Sequence, residues 1–309
     1  LVVALMSGAT IAAAWTLRID SLGLSTAFVA SIESTSMTAT IAPEALWSSR
    51  TAFALAASPV VLDDAEVEFS DPRLAGSQPG EATRVVLVAD RATLVGFSLD
   101  PETTFDIART APAVVDVAVM DGAAAGNVQF SGSGTVRTTV MGADQATPFE
   151  VVVPEILSFD AAVDGPARSA RLQFTLQDSV GLERIPVTAM GFSRPTPAET
   201  TSQPAFESSV MSASIELPQV GEAITAYLGE RLGFEGVDAT IRELELGLDG
   251  TVRATVVGRA DRLIISGETY DRNLSPSILR FLIESQPLTF FLAATTSLFG
   301  LIWGLRRWL

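Results

Sequence analysis

Cysteine, histidine and lysine are all absent from these 309 residues, and every one of the 20 basic residues is arginine. Thiolates and imidazoles supply most zinc, copper, haem and iron–sulfur ligation, so no transition-metal or redox centre held by this chain alone is expected. The same absences remove the Ser-His-Asp triad, the Cys-His pair, the Ser-Lys dyad, the lysine Schiff base and the phosphate-loop lysine. Carboxylate-only hydrolysis survives this filter. With 36 acidic residues, however, some suitably spaced pair is bound to occur, so its presence says little. No catalytic, cofactor-binding or metal-ligating residue is assigned, and the chain is read as a non-enzyme.

Positive charge is scarce too. The net charge is −16, which excludes a nucleic-acid partner and sets up a field that repels anionic lipid headgroups within a Debye length. The lack of cysteine leaves the redox compartment open, because an oxidising compartment permits disulfides without requiring them.

Long apolar runs are what the chain does have, one at each end. Leu288–Leu305 carries no charged residue over 18 positions, about 27 Å as a helix and close to the thickness of a bilayer core. Arg306 and Arg307 follow it, with Trp303 and Trp308 at the same end, which predicts a membrane interface there and a cytoplasmic C-terminus. Leu1–Leu17 is a second uncharged run, with Trp15 near its close, read as an N-terminal signal anchor. Small residues recur every fourth position in both, as Ala4, Gly8 and Ala12 and as Thr296, Gly300 and Gly304. Such stripes let another helix approach closely. Ser275-Pro276 predicts the cap and first position of a short interfacial helix ending before Pro287.

Between the runs the chain reads as β-rich. Alternating or β-branched segments occur at Ser36–Ala42, Val60–Phe69, Arg84–Ala89, Ala113–Met120, Asn127–Val140, Phe149–Val153, Ala170–Leu176 and Ile185–Met190, with turn chemistry at Asp121-Gly122 and Asp164-Gly165-Pro166. A Pro-, Ser- and Thr-rich linker follows. Beyond it, Met211–Leu217 alternates as a strand, Gln219–Phe234 shows helical spacing of Val220, Ile224, Tyr227, Leu228 and Leu232, and Asp249-Gly250 marks a hairpin. The expected architecture is membrane-anchored and mainly β: an extracytoplasmic β-sandwich-like domain plus a small α+β module, flanked by two transmembrane helices. Its parts are 1–17 (span), 18–192 (β-rich domain), 193–209 (linker), 210–274 (α+β module), 275–286 (interfacial helix) and 287–309 (span).

Two local clusters invite chemistry and are read plainly. Asp63, Asp64, Glu66 and Glu68 are the densest acids, but they lack calcium-loop spacing and alternate with apolar residues as a half-solvated strand does. Ser131-Gly132-Ser133-Gly134 lacks the lysine and helix of a phosphate loop and reads as a bulge or hairpin. Neither apolar run contains an ionisable residue, which disfavours transport.

The function these readings imply is a non-catalytic accessory or scaffolding subunit of a multi-subunit bacterial inner-membrane complex of photosynthetic, respiratory or secretion type. Its expected partners are other integral membrane proteins and the lipid bilayer, with both termini cytoplasmic and the bulk periplasmic. The alternatives are an envelope or polysaccharide assembly factor with the same two-span topology and, behind it, a carboxylate-dependent envelope enzyme.

Overall fold

The structure is a computed structural model and describes residues 16–75, 82–140, 143–163, 169–195, 206–267, 269–285 and 287–306. The described residues lie mainly in strands. The first eleven are β1 (Thr26–Ser34), β2 (Ser36–Ile41), β3 (Trp47–Ser48), β4 (Phe53–Leu55), β5 (Val60–Phe69), β6 (Ala82–Leu99), β7 (Thr104–Ala111), β8 (Val114–Val140), β9 (Ala143–Val163), β10 (Ala170–Thr175) and β11 (Val180–Gly191). After them come β12 (Ser193–Pro195), β13 (Phe206–Ser208), β14 (Val210–Leu217), β15 (Glu222–Ala226), β16 (Arg231–Glu235), β17 (Asp238–Leu246), β18 (Val252–Ala260), β19 (Arg262–Ser266) and β20 (Asp271–Asn273).

Alternation of apolar and polar residues drives this. In β1, Phe28, Ala30 and Ile32 are buried while their neighbours face outward, the period of two that puts one face of a strand on a core. One sheet takes up most strands, in the order β15-β14-β1-β18-β17-β11-β2-β7-β8-β10-β5-β6-β3. A smaller sheet, β16-β19-β20, packs over it through Phe234, whose ring lies 5.4 Å from Phe28 and 6.2 Å from Phe192. The buried apolar residues of both sheets form a single core.

The 27-residue strand β8 is the pivot. Its first third pairs with β7 and so joins the open leg of the sheet, and the rest pairs with β6 on one edge and β9 on the other. Strand β5 then closes a ring: Val60–Ala65 pairs with β6, and Glu66–Phe69 pairs with β9. Asp64, at φ 54°, is where β5 changes partner, the bend that an extra residue introduces into a strand. Asp121-Gly122 is therefore no turn. The chain continues through it as β8 with a local kink, Gly122 at φ 92°, where the pairing of β7 ends and that of β9 begins. Asp164-Gly165-Pro166 lies outside the described residues.

The expected fold class needs correction at both ends and in the second module. Among the described residues no helix is long and apolar enough to cross a membrane, so the two transmembrane helices and the membrane-protein reading built on them are not supported. The run Leu1–Leu17 lies outside the described residues up to position 15. A helix does form at Pro287–Arg306.

The small α+β module has no helix where one was expected. Gln219–Phe234 forms β15 and β16 instead, with Gly221 and Gly229 at positive φ (58° and 86°) in the turns. Two short strands separated by glycine turns reproduced a helical spacing by coincidence. Strands β14, β15, β17 and β18 also belong to the same sheet as β1, so no separate module stands between the β domain and the terminal helix. The short helix before it spans Ile278–Ser285, and Ser277, not Ser275, caps it: Ser277 Oγ accepts from Arg280 N at 3.4 Å. Ser275 is fully buried, and its carbonyl accepts from the Arg18 guanidinium. Ile19 N donates to Pro276 O and Ile278 N to Leu17 O, both at 3.0 Å. Entry to and exit from the β body are thereby clamped together.

Candidate functional site

The terminal helix holds every described residue of the expected packing and interface sets. Thr296 and Gly300 are exposed and Gly304 is half-exposed, and a Cβ added at Gly300 or Gly304 would meet nothing within 4 Å. Thr296 Oγ1 donates to Leu292 O at 2.7 Å and Thr295 Oγ1 to the same carbonyl at 2.9 Å. These hydroxyls are thus spent on their own helix, leaving a small, apolar stripe. Trp303 is 72% exposed and Phe299 74%, with Leu292, Leu298 and Ile302 also well exposed. Arg306 lies in the last turn, where a cation complements the helix dipole. Ala4, Gly8, Ala12, Trp15, Arg307 and Trp308 lie outside the described residues.

The dense acids of β5 do not act together. Asp63 pairs with Arg84 at 3.5 Å, and Asp64 sits at the bend. Glu66 and Glu68 line a cleft of about 380 Å³ with Asp160, Asn127 and Ser158. No group of acids among the described residues is arranged to hold a metal ion. Ser131–Gly134 is a bulge where the pairing of β8 with β9 shifts register. Ser133 N donates to Asp90 Oδ2 at 2.9 Å across it, so an acid rather than an anion fills the loop.

Two further acids stand out only in three dimensions. Asp106 on β7 and Asp116 on β8 are half-buried, and burial pushes both carboxyls above their ordinary range. Each also feels another carboxylate, Asp116 for Asp106 and Asp63 for Asp116, while Arg171 opposes both effects. Thr38 Oγ1 donates to Asp106 Oδ1 at 2.9 Å, whereas Asp116 Oδ1 is buried without a hydrogen-bond partner. Asp249 behaves oppositely: the Thr251 hydroxyl and then Arg253 hold it down at about 2.

A last feature escaped the sequence. The loop 46–51 and β11 enclose a cleft of about 290 Å³ that brings Arg50 and Arg184 to one site. No spacing rule connects residues so far apart along the chain, so only the fold reveals it. No protein-family model, no curated protein and no solved structure matches this chain.

Proposed function

We propose that the chain is a non-catalytic accessory or scaffolding subunit that docks on other proteins through its terminal helix and holds its β body over them. One observation carries the reading. The apolar core of the body is continuous, yet the terminal helix presents Leu292, Leu298, Phe299, Ile302 and Trp303 outward. Contiguous apolar surface of this kind marks a site that another surface covers. The stripe Thr296, Gly300 and Gly304 favours a helix as occupant, since small side chains let two helix backbones approach. Nothing favours one kind of assembly over another. The envelope-assembly alternative rested on a two-span topology and has no observation of its own.

The test is isolation of the full chain from its native source under gentle conditions, with mass spectrometry of what accompanies it, for wild type and for the Gly300→Leu, Gly304→Leu double variant. A stoichiometric set of proteins held by the wild type and lost by the variant supports docking through this helix. Recovery of the wild-type chain alone, or retention of the same set by the variant, overturns it.

A further inference from the structure

The cleft between the loop 46–51 and β11 has a composition unlike the rest of this acidic molecule. Trp47, Ser48, Arg50 and Thr51 line one wall, and Glu183 and Arg184 the other. Both walls are fixed by hydrogen bonds that leave the charged groups free. Trp47 Nε1 donates to Glu183 O at 3.0 Å, and Ala42 N donates to Pro186 O at 3.0 Å, joining loop to strand. Ser49 N donates to Phe97 O at 2.7 Å. Ser49 Oγ donates to Thr51 O at 2.9 Å and accepts from Thr51 N at 3.2 Å, so Arg50 sits on a pinned turn.

The opposite arginine is held under strain. Arg184 has φ 57°, a conformation unfavourable for a residue with a Cβ and one that concentrates at functional sites. The register of β11 with β17 runs from the pair Glu183 and Glu243 to the pair Ile185 and Ile241 and leaves Arg184 and Arg242 out of the ladder. Several arginines pair with carboxylates, as Arg84, Arg253, Arg262, Arg272 and Arg280 do, while others such as Arg91, Arg171 and Arg259 form no ion pair among the described residues. Arg50, Arg184 and Arg242 form no ion pair among the described residues. A chain with a net charge of −16 has thus placed two guanidinium groups and a single carboxylate, Glu183, on one small cleft.

We propose that this cleft binds a small organic phosphate. Guanidinium groups match phosphate oxygens with paired, charge-assisted hydrogen bonds, and the hydroxyls of Ser48 and Thr51 add neutral donors. Glu183 on the same wall accepts from a ligand hydroxyl, which selects a hydroxylated phosphate ester over a bare anion. The volume is at the lower end for ligand sites and suits a compact molecule rather than a polymer.

Isothermal titration of the full chain with inorganic phosphate, glycerol phosphate and acetate, at matched ionic strength, tests this. Phosphate binds, glycerol phosphate binds more tightly, and acetate binds at least about tenfold more weakly than phosphate, since a hydrogen bond to a charged group is worth about that factor. Arg50→Gln and Arg184→Gln each weaken phosphate about tenfold or more on the same grounds, with the melting temperature unchanged. Glu183→Gln tightens inorganic phosphate by removing a like charge, a gain that misfolding cannot imitate. Absence of phosphate binding to the wild type, undiminished binding by the arginine variants, weaker phosphate binding by Glu183→Gln, or acetate matching phosphate overturns the assignment.

Discussion

The β body and the terminal helix use the same side chains to opposite ends. In the body, Phe130 is 1% exposed and its ring lies 4.8 Å from that of Phe149. On the helix, Phe299 is 74% exposed. A strand that pairs on both edges presents alternate residues to a common interior, and β8 does so for most of its length. A single helix beyond the sheet's last strand has no such interior among the described residues, and under the proposed function a partner supplies it. Apolar content therefore reports burial only when the topology is known.

The largest effect that separates the two regions comes from truncating those rings. Phe130→Ala leaves a cavity in a core that cannot collapse around it and should cost about 3–5 kcal/mol. Phe299→Ala should change stability by less than about 0.5 kcal/mol while weakening any association through the helix. Urea denaturation of both variants measures this, and equal losses would show that the helix is packed within the chain.

Glycines sharpen the same contrast. A Cβ at Gly134 would lie 2.1 Å from Val88 O and 2.4 Å from the Phe149 ring. Gly134→Ala forces two paired strands apart and should cost about 1–3 kcal/mol. Gly300→Ala meets nothing and should stabilise the isolated helix by about 0.5–1 kcal/mol, the difference in conformational freedom between the residues. Thermal melts followed by circular dichroism separate the two, and a destabilising Gly300→Ala would mean that a backbone lies against that face.

Much of the β structure was legible because period two survives local reading: Ser36–Ala42, Val60–Phe69 and Ala170–Leu176 correspond closely to β2, β5 and β10. Length was not legible. Asp121-Gly122 carries turn chemistry and Gly122 does take φ 92°, yet pairing on both sides of β8 turns the expected reversal into a bulge within one strand. Gln219–Phe234 failed for the converse reason. Its strands are five residues each, too short to show alternation against helical spacing. The C-terminal run misled because absence of charge is necessary but not sufficient for a span, and among the described residues no helix is long and apolar enough to cross a membrane. Of the candidate sites, the helix stripe was readable from spacing alone. The arginine cleft and the pair Asp106 and Asp116 were not, since each joins strands brought together only by the sheet.

Carboxylates provide the finest comparison, between the half-buried pair on β7 and β8 and the exposed Asp249. Burial raises the folded-state pKa of Asp116 above its ordinary value. Across the window between those two values the folded chain holds more protons than the unfolded one, so this group's contribution to stability falls as pH rises. Above the window its charge, with Oδ1 lacking a partner, is a standing cost. Asp249 has the other sign. Hydrogen bonds from Thr251 and then Arg253 hold it at about 2, so its contribution is present above the ordinary carboxylate value and is lost as pH falls through about 2. Asp116→Asn should therefore stabilise the chain at pH 7 by about 0.5 kcal/mol, a small figure because solvent screens a half-exposed group. The gain should shrink as pH falls through the window. Asp249→Asn should instead flatten the loss of stability below pH ~4. Urea midpoints measured from pH 3 to pH 7 for both variants decide it. A gain for Asp116→Asn that persists unchanged at pH 3 would mean that side-chain packing, and not charge, sets the cost of that aspartate.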